Sequence, residues 1–256
     1  TCYLYPEYLG YRPTQRVGVM SNGLAAVLDI ATTGQSIQMV ENFPLYPYGA
    51  AVLYPSIPDD FSYHNKSVWP VWETPYMYAA RDVKNTKVVE HMIKSLVRAG
   101  ALFLTHKENM TYDTGYDCGT ALNSSRQLWS VASYISMVYR VLFGMTMEEE
   151  GIAFTPVVPD LVAGKISLEN FRYRDAVLNI NITGKGNTVK KITVNGQDQK
   201  LPYLLPATAQ GDYTIDIVMT AAHASDKMNL VQPGPREDWS PIEPVLEQKG
   251  QIINCP

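Results

Sequence analysis

Apolar residues recur at helical spacing through the first half of the chain and at alternating spacing through the second. From Arg16 to Ala31, the positions Val17, Met20, Leu24, Val27 and Leu28 predict an amphipathic helix, with Gly34 beyond its end as C-cap. A short helix over Ser36–Asn42 follows. Next comes an irregular stretch rich in Pro and Tyr, Phe43–Tyr63, which is long for a connection inside a compact domain. Pro70 suits the first turn of a helix running to Asp82, and Pro75 fits it only near the start. Thr86 to Leu104 carries the clearest pattern: Val88, Val89, Met92, Ile93, Leu96, Val97, Gly100 and Ala101 form one broad apolar stripe. After a polar loop over Thr105–Ser125, a last helix is predicted from Arg126 to Phe143. Leu128, Val131, Ala132, Ile135, Val138, Tyr139 and Leu142 are its inward positions and Gly144 is its stop. The short turn from Asp82 to Thr86 predicts an antiparallel helical hairpin, with the long loops gathered on one face.

Beyond Glu148-Glu149-Glu150-Gly151 the period changes to two. Lys165–Phe171, Ala176–Thr183, Val189–Val194 and Tyr213–Met219 alternate apolar and polar residues. Gly184-Lys185-Gly186-Asn187 and Asn195-Gly196 supply turns. The organisation predicted is α+β with two domains: a helical part over 1–147, a small antiparallel β-sandwich over 148–222, and an extended tail or linker over 223–256. No internal repeat is visible.

Composition narrows the function classes. Hydrophobic residues are 46% of 256 and charged residues 18%, a globular balance. The net charge of −4 comes without a Lys/Arg cluster, which argues against a nucleic-acid partner. No apolar run approaches the roughly 20 residues of a membrane span. The chain opens Thr1-Cys2-Tyr3 with neither Met nor a signal-peptide pattern. It reads as a fragment or processed form with its targeting segment upstream, and a periplasmic or extracellular setting is expected. Cys2, Cys118 and Cys255 are too few for a disulfide framework. They are expected to be free thiols, the one alternative being a Cys2–Cys255 pair joining the two ends. His64, His91, His106 and His223 lack metal-ligand spacing, so neither metal nor cofactor is expected.

The aromatic content, 17 Tyr and 4 Trp, lies largely in polar loops. Tyr63-His64-Asn65-Lys66-Ser67-Val68-Trp69-Pro70 sets a phenol, an imidazole, a carboxamide and an indole just before a helix, and Trp72 and Glu73 follow. Aromatic faces stack on the C–H faces of sugar rings while short polar groups bind hydroxyls, so this loop is a candidate wall of a carbohydrate pocket. The plain alternative is a loop that buries its tryptophans against a helical core. Hydrolysis of a glycosidic bond also needs carboxyl groups. Glu108, in Glu108-Asn109-Met110-Thr111-Tyr112-Asp113-Thr114-Gly115, is one candidate and a solvated helix-end carboxylate is the alternative. Glu73 is another, with a helix-dipole role as its alternative.

These segments resemble the C-terminal part of six-hairpin (α/α)6-barrel glycoside hydrolases, the processing α-glucosidase-like and glycogen-debrancher-like enzymes. Tyr63 to Pro70 is similar to their Tyr-His-Asn-Gly-x-Val-Trp-Pro loop, with Lys66 where glycine is usual. Gln127-Leu128-Trp129-Ser130-Val131-Ala132 resembles their last barrel helix. Phe154-Thr155-Pro156-Val157-Val158-Pro159 and Phe171-Arg172-Tyr173-Arg174 resemble their appended sandwich. The resemblance implies a partial (α/α)6 toroid, with the missing hairpins upstream or in another chain as a partner. It implies an α-linked oligosaccharide as substrate and Glu108 as general base of an inverting reaction. It implies a pocket lined by Tyr63, His64, Trp69, Trp72, Glu73 and Trp129, and a general acid on an earlier hairpin outside this chain. Two other readings stand beside it. One is a non-catalytic carbohydrate-binding or scaffold module. The other is a sugar phosphorylase, which would need a cationic cluster where Lys66, His106 and Lys107 are isolated.

Overall fold

Gly18 divides what the periodicity joined. The helix expected from Arg16 begins only at Val19, because the preceding residues extend a strand, β2 (Arg12–Gly18), paired as a hairpin with β1 (Pro6–Leu9). The computed structural model describes residues 4–9, 11–57, 62–222, 226–234, 247–249 and 252–254. Cys2, Cys255 and His223 lie outside these, and with them the Cys2–Cys255 pairing; Cys118 is an exposed free thiol. Gly18 is extended, at φ −97° and ψ 140°, and strand passes into helix α1 (Val19–Val27) there. This helix also stops early. Asp29 takes a φ of 55°, and Thr32 opens α2 (Thr33–Asn42) through a capping box with Gln35. Gly34, expected as a C-cap, lies in the first turn of α2.

The Pro/Tyr-rich stretch is broken up by short strands: β3 (Pro44–Leu45), β4 (Leu53–Tyr54) and, after it, β5 (Ser67–Val68). β4 adds to the first hairpin, in the order β1-β2-β4. Pro70 opens α3 (Pro70–Asp82) as expected, whereas Pro75 lies inside the helix. α1 crosses α3 closely: a Cβ on Gly23 would stand 2.4 Å from the Tyr76 backbone nitrogen. α4 (Thr86–Phe103) is capped by Asn85, whose side chain accepts from the Val88 N–H and donates to the Lys227 carbonyl. Val88, Val89, Met92, Ile93, Leu96 and Ala99 are its buried stripe.

After β6 (Met110–Thr111), helix α5 (Leu128–Ser136) runs on into a π-helical stretch, Met137–Leu142. Its inward face is not the expected one. Leu128 is 81% exposed, Ala132 and Ile135 are also exposed, and Ser130 and Ser133 are buried. The Ser130 hydroxyl donates to the Lys107 carbonyl, and the Tyr134 hydroxyl donates to the Leu96 carbonyl beside Gly100. One polar contact therefore ties α5 to α4 and another ties it to the loop that follows α4. The π-helical turn then shifts the phase, and Met137, Val141 and Leu142 enter the core.

The second half contains β7 (Met145–Met147), β8 (Gly151–Phe154), β9 (Gly164–Tyr173), β10 (Asp175–Gly184), β11 (Thr188–Val194), β12 (Gln197–Asp198), β13 (Leu204–Pro206) and β14 (Gln210–Thr220). They form a sheet ordered β13-β8-β7 and a five-stranded sheet ordered β12-β11-β14-β10-β9. All four period-two segments are strands, but the larger sheet is mixed. β10 and β14 run parallel, from Asp175 opposite Gln210 to Thr183 opposite Val218. The chain reaches β14 only after β11, β12 and β13, a connection long enough to return to the end at which β10 starts. Alternation places Ala176, Leu178, Ile180 and Ile182 on one buried face with Ile215 and Ile217.

That face belongs to the same contiguous core as Tyr76, Met77, Val88, Met92 and Leu96 of the helices. The architecture is thus a mixed α+β fold, and the expected partial (α/α)6 toroid with an antiparallel β-sandwich appended is not what the chain forms. An apolar helical stripe reads the same whether other helices or strands cover it, and here strands share the core. The 147/148 junction falls within the β7–β8 hairpin. Part of the expected tail is tied down: β15 (Asn229–Leu230) pairs in parallel with β3, and the Asn229 amide donates to the Asn42 carbonyl. β16 (Glu247–Lys249) and β17 (Ile252–Asn254) form a further antiparallel pair.

Candidate functional site

Two loops are joined by β5 and β6, with Ser67 opposite Thr111 and Val68 opposite Met110. The Tyr112 N–H donates to the Lys66 carbonyl at 3.1 Å and the Ala121 N–H to the Ser62 carbonyl at 2.7 Å, which lengthens the seam. Lys66 has a φ of 55°, in the left-handed region that glycine reaches at least cost. Asn65 is buried. Its carboxamide accepts from the Ile57 N–H and donates to the Ile57 carbonyl, at 3.0 Å each, and so anchors the turn.

The seam brings Tyr63 to Glu108. The Tyr63 hydroxyl donates to Glu108 Oε1 at 2.9 Å, and the Ser124 N–H donates to Oε2 at 2.9 Å. The Glu108 N–H in turn donates to the Ser124 carbonyl, so the carboxylate is gripped at both ends of its own residue. Glu108 is only 7% exposed and is not a solvated helix-end group. Tyr63 is held above its ordinary pKa, first by donating to Glu108, so the phenol stays protonated as a donor.

Trp69 is the hub of the aromatic group. It is fully buried, and its indole N–H donates to the Tyr63 carbonyl at 2.7 Å and to Ser67 Oγ at 3.0 Å. Its ring centroid lies 5.0 Å from Tyr63, 5.1 Å from His64, 5.0 Å from Trp72 and 5.8 Å from Trp129. Trp69 therefore supports the surface and does not form it, contrary to its expected role as a pocket wall. His64 is exposed, Trp129 is 41% exposed, and Tyr63 and Trp72 are half-buried. These four rings present a continuous aromatic face beside a buried carboxylate.

Glu73 is not part of that face, which corrects its expected place in the pocket. It is 1% exposed, beneath the turn that ends at Ala50. The Ala50 N–H donates to its Oε1 at 2.6 Å, and Ser95 Oγ lies 3.0 Å from Oε2 and 2.9 Å from the Tyr48 carbonyl. Serine has one hydroxyl proton, and the carbonyl has none to give. The arrangement closes if the Glu73 acid donates to Ser95, which donates to Tyr48. Burial agrees: it pushes the Glu73 carboxyl up to about 8, against the Ala50 N–H, which favours the carboxylate. His91 donates from Nε2 to the Tyr46 carbonyl and helps hold the same turn; burial lowers its pKa.

Of the other loop residues, Asp117 pairs with Lys107 at 2.7 Å and Asp113 caps its own turn through the Thr114 N–H. Sequence reasoning missed Glu7, which stands in a segment without periodic signal. It lines a groove of about 430 Å³ together with Met20, Ser21, Leu24, Leu53 and Trp72. Among the described residues, no group of three or more His, Cys, Asp and Glu could hold a metal ion, and no helix is long and apolar enough to cross a membrane. No protein-family model matches the chain, and no curated protein matches it.

Proposed function

We propose that the chain is part of a glycoside hydrolase that acts on an α-linked oligosaccharide with inversion. Glu108 is its general base, oriented by Tyr63, and His64, Trp72 and Trp129 form the sugar-contacting face. The observation that carries this reading is the carboxylate of Glu108, buried and oriented by Tyr63 and Ser124 at the edge of an aromatic surface. Each carboxylate oxygen accepts one protein hydrogen bond and keeps a further lone pair for the proton of an attacking water. Exposed indole and imidazole faces suit the C–H faces of a pyranose. Tyr63 acts through Glu108 and is a positioning residue.

A second reading, a carbohydrate-binding module without turnover, draws support from Glu73, whose burial in a structural role leaves Glu108 without it as a catalytic partner. Hydrolysis of maltose, nigerose, kojibiose and isomaltose by the whole enzyme, whose general acid lies outside this chain, and calorimetric binding of the same sugars separate the two. The expected outcome is turnover with inversion on at least one of them, a loss of about a thousandfold or more in kcat for Glu108→Gln, and retained binding. Binding without turnover favours the module. Unchanged turnover in Glu108→Gln removes Glu108 from the mechanism, and absence of binding to all four sugars ends both readings.

A further inference from the structure

We infer that the groove between the start of α1 and Trp72 is a sugar subsite that extends the aromatic face by one ring, with Glu7 accepting hydroxyl hydrogens. The inference rests on the carbohydrate reading above and adds to it a place for a further residue of the same oligosaccharide. Trp72 is the link. Its ring lies 5.4 Å from His64 and 6.2 Å from Trp129, and it also lines the groove. Trp72 is thus shared by the groove and the ring cluster, which places the two next to one another.

The groove is built around its carboxylate. A Cβ at position 18 would stand 2.2 Å from Glu7 Oε1 and 2.8 Å from Ser21 Oγ, so Gly18 makes the seat in which both polar groups lie. The Ser21 hydroxyl donates to Oε1 at 2.6 Å. That fixes the carboxylate and leaves it further lone pairs, so it can accept from a sugar diol. Met20, Leu24, Leu53 and Trp72 give apolar walls, and a wall that includes an indole suits ring C–H groups. At about 430 Å³ the space falls in the ordinary range for small-molecule sites, about 300–1,000 Å³. Apolar walls with one oriented acceptor fit a neutral polyol. A phosphorylated ligand would be repelled by the carboxylate.

Calorimetry on the full chain tests this with the disaccharide and trisaccharide of each of the four linkages named above. For an accepted linkage the trisaccharide is expected to bind about tenfold more tightly than the disaccharide. Glu7→Gln and Ser21→Ala should each abolish that advantage and leave disaccharide affinity within about twofold; Trp129→Ala should weaken both sugars. Ser21→Ala leaves Glu7 itself in place, so it carries the test if Glu7→Gln fails to fold. Equal affinities for the two lengths, or a trisaccharide advantage that survives both variants, overturn the subsite and leave the aromatic reading standing. Absence of binding at either length overturns both.

Discussion

Replacing Glu73 by Gln asks whether a neutral acid lies beneath the turn that ends at Ala50. Burial raises this carboxyl to about 8 in the folded chain, against an ordinary value of 4.5. Between those values the folded chain holds a proton that the unfolded chain has released. Its stabilising contribution is therefore complete below about pH 4.5, falls by about 1.4 kcal/mol per pH unit as pH rises, and is lost once pH passes about 8. The full interval amounts to about 5 kcal/mol at most. Gln keeps the shape of the acid, and its amide N–H can donate to Ser95 as the acid does, but it does not titrate. Urea unfolding of both proteins from pH 5 to 9 reads the difference directly, and the subtraction cancels the other titrating groups. Glu73→Gln is expected to be within about 1 kcal/mol of the unaltered chain at pH 5 and more stable by on the order of 4 kcal/mol at pH 8.5. A difference that stays flat across this range refutes the neutral acid and, with it, the Glu73–Ser95–Tyr48 hydrogen-bond chain.

Gly23→Ala drives a methyl group into the α3 backbone and should destabilise the fold by about 1–3 kcal/mol in urea unfolding, overriding a helix-propensity gain of about 1 kcal/mol. Gly34→Ala is the control: nothing lies within 4 Å of its added methyl, and stability should rise by up to about 1 kcal/mol. The same sign of effect at both positions would refute the tight α1–α3 crossing. With Glu108 as base, Tyr63→Phe should lower kcat about tenfold and change KM by less than twofold, because it removes the donor that orients the carboxylate. A rise in KM at constant kcat would reassign Tyr63 to sugar binding.

α4 was legible because its apolar stripe is long, and Val88, Val89, Met92, Ile93 and Leu96 of that stripe are buried, whereas Val97 and Ala101 are exposed. Strand positions were legible for the same kind of reason, since alternation marks a half-buried strand. Alternation does not encode the partner, so the parallel pairing of β10 with β14 was not visible, nor was the sheet that shares the core with the helices. α5 misled because Ser130 finds its acceptor at Lys107, elsewhere in the chain, Ser133 is satisfied by the Trp129 carbonyl one turn back, and a π-helical turn resets its phase. In the candidate site, the residue types were plain in the sequence but their meeting was not, because β5 and β6 are too short to have a period and Tyr63 meets Glu108 across 45 residues of sequence. Trp69 and Trp72 look equivalent in sequence, yet one is a hidden support and the other a surface. Glu73 and Glu108 likewise differ only in what surrounds them.

The interlocked indoles give this chain an optical signature of its own. Trp69, Trp72 and Trp129 lie within 6.2 Å of one another, and the chain has only 4 tryptophans. Rings this close share their electronic excitation, so the near-ultraviolet circular dichroism band should be dominated by one locality. A small rotation of Trp129, the outermost of the three, would redraw that spectrum with no label attached and no change in the backbone.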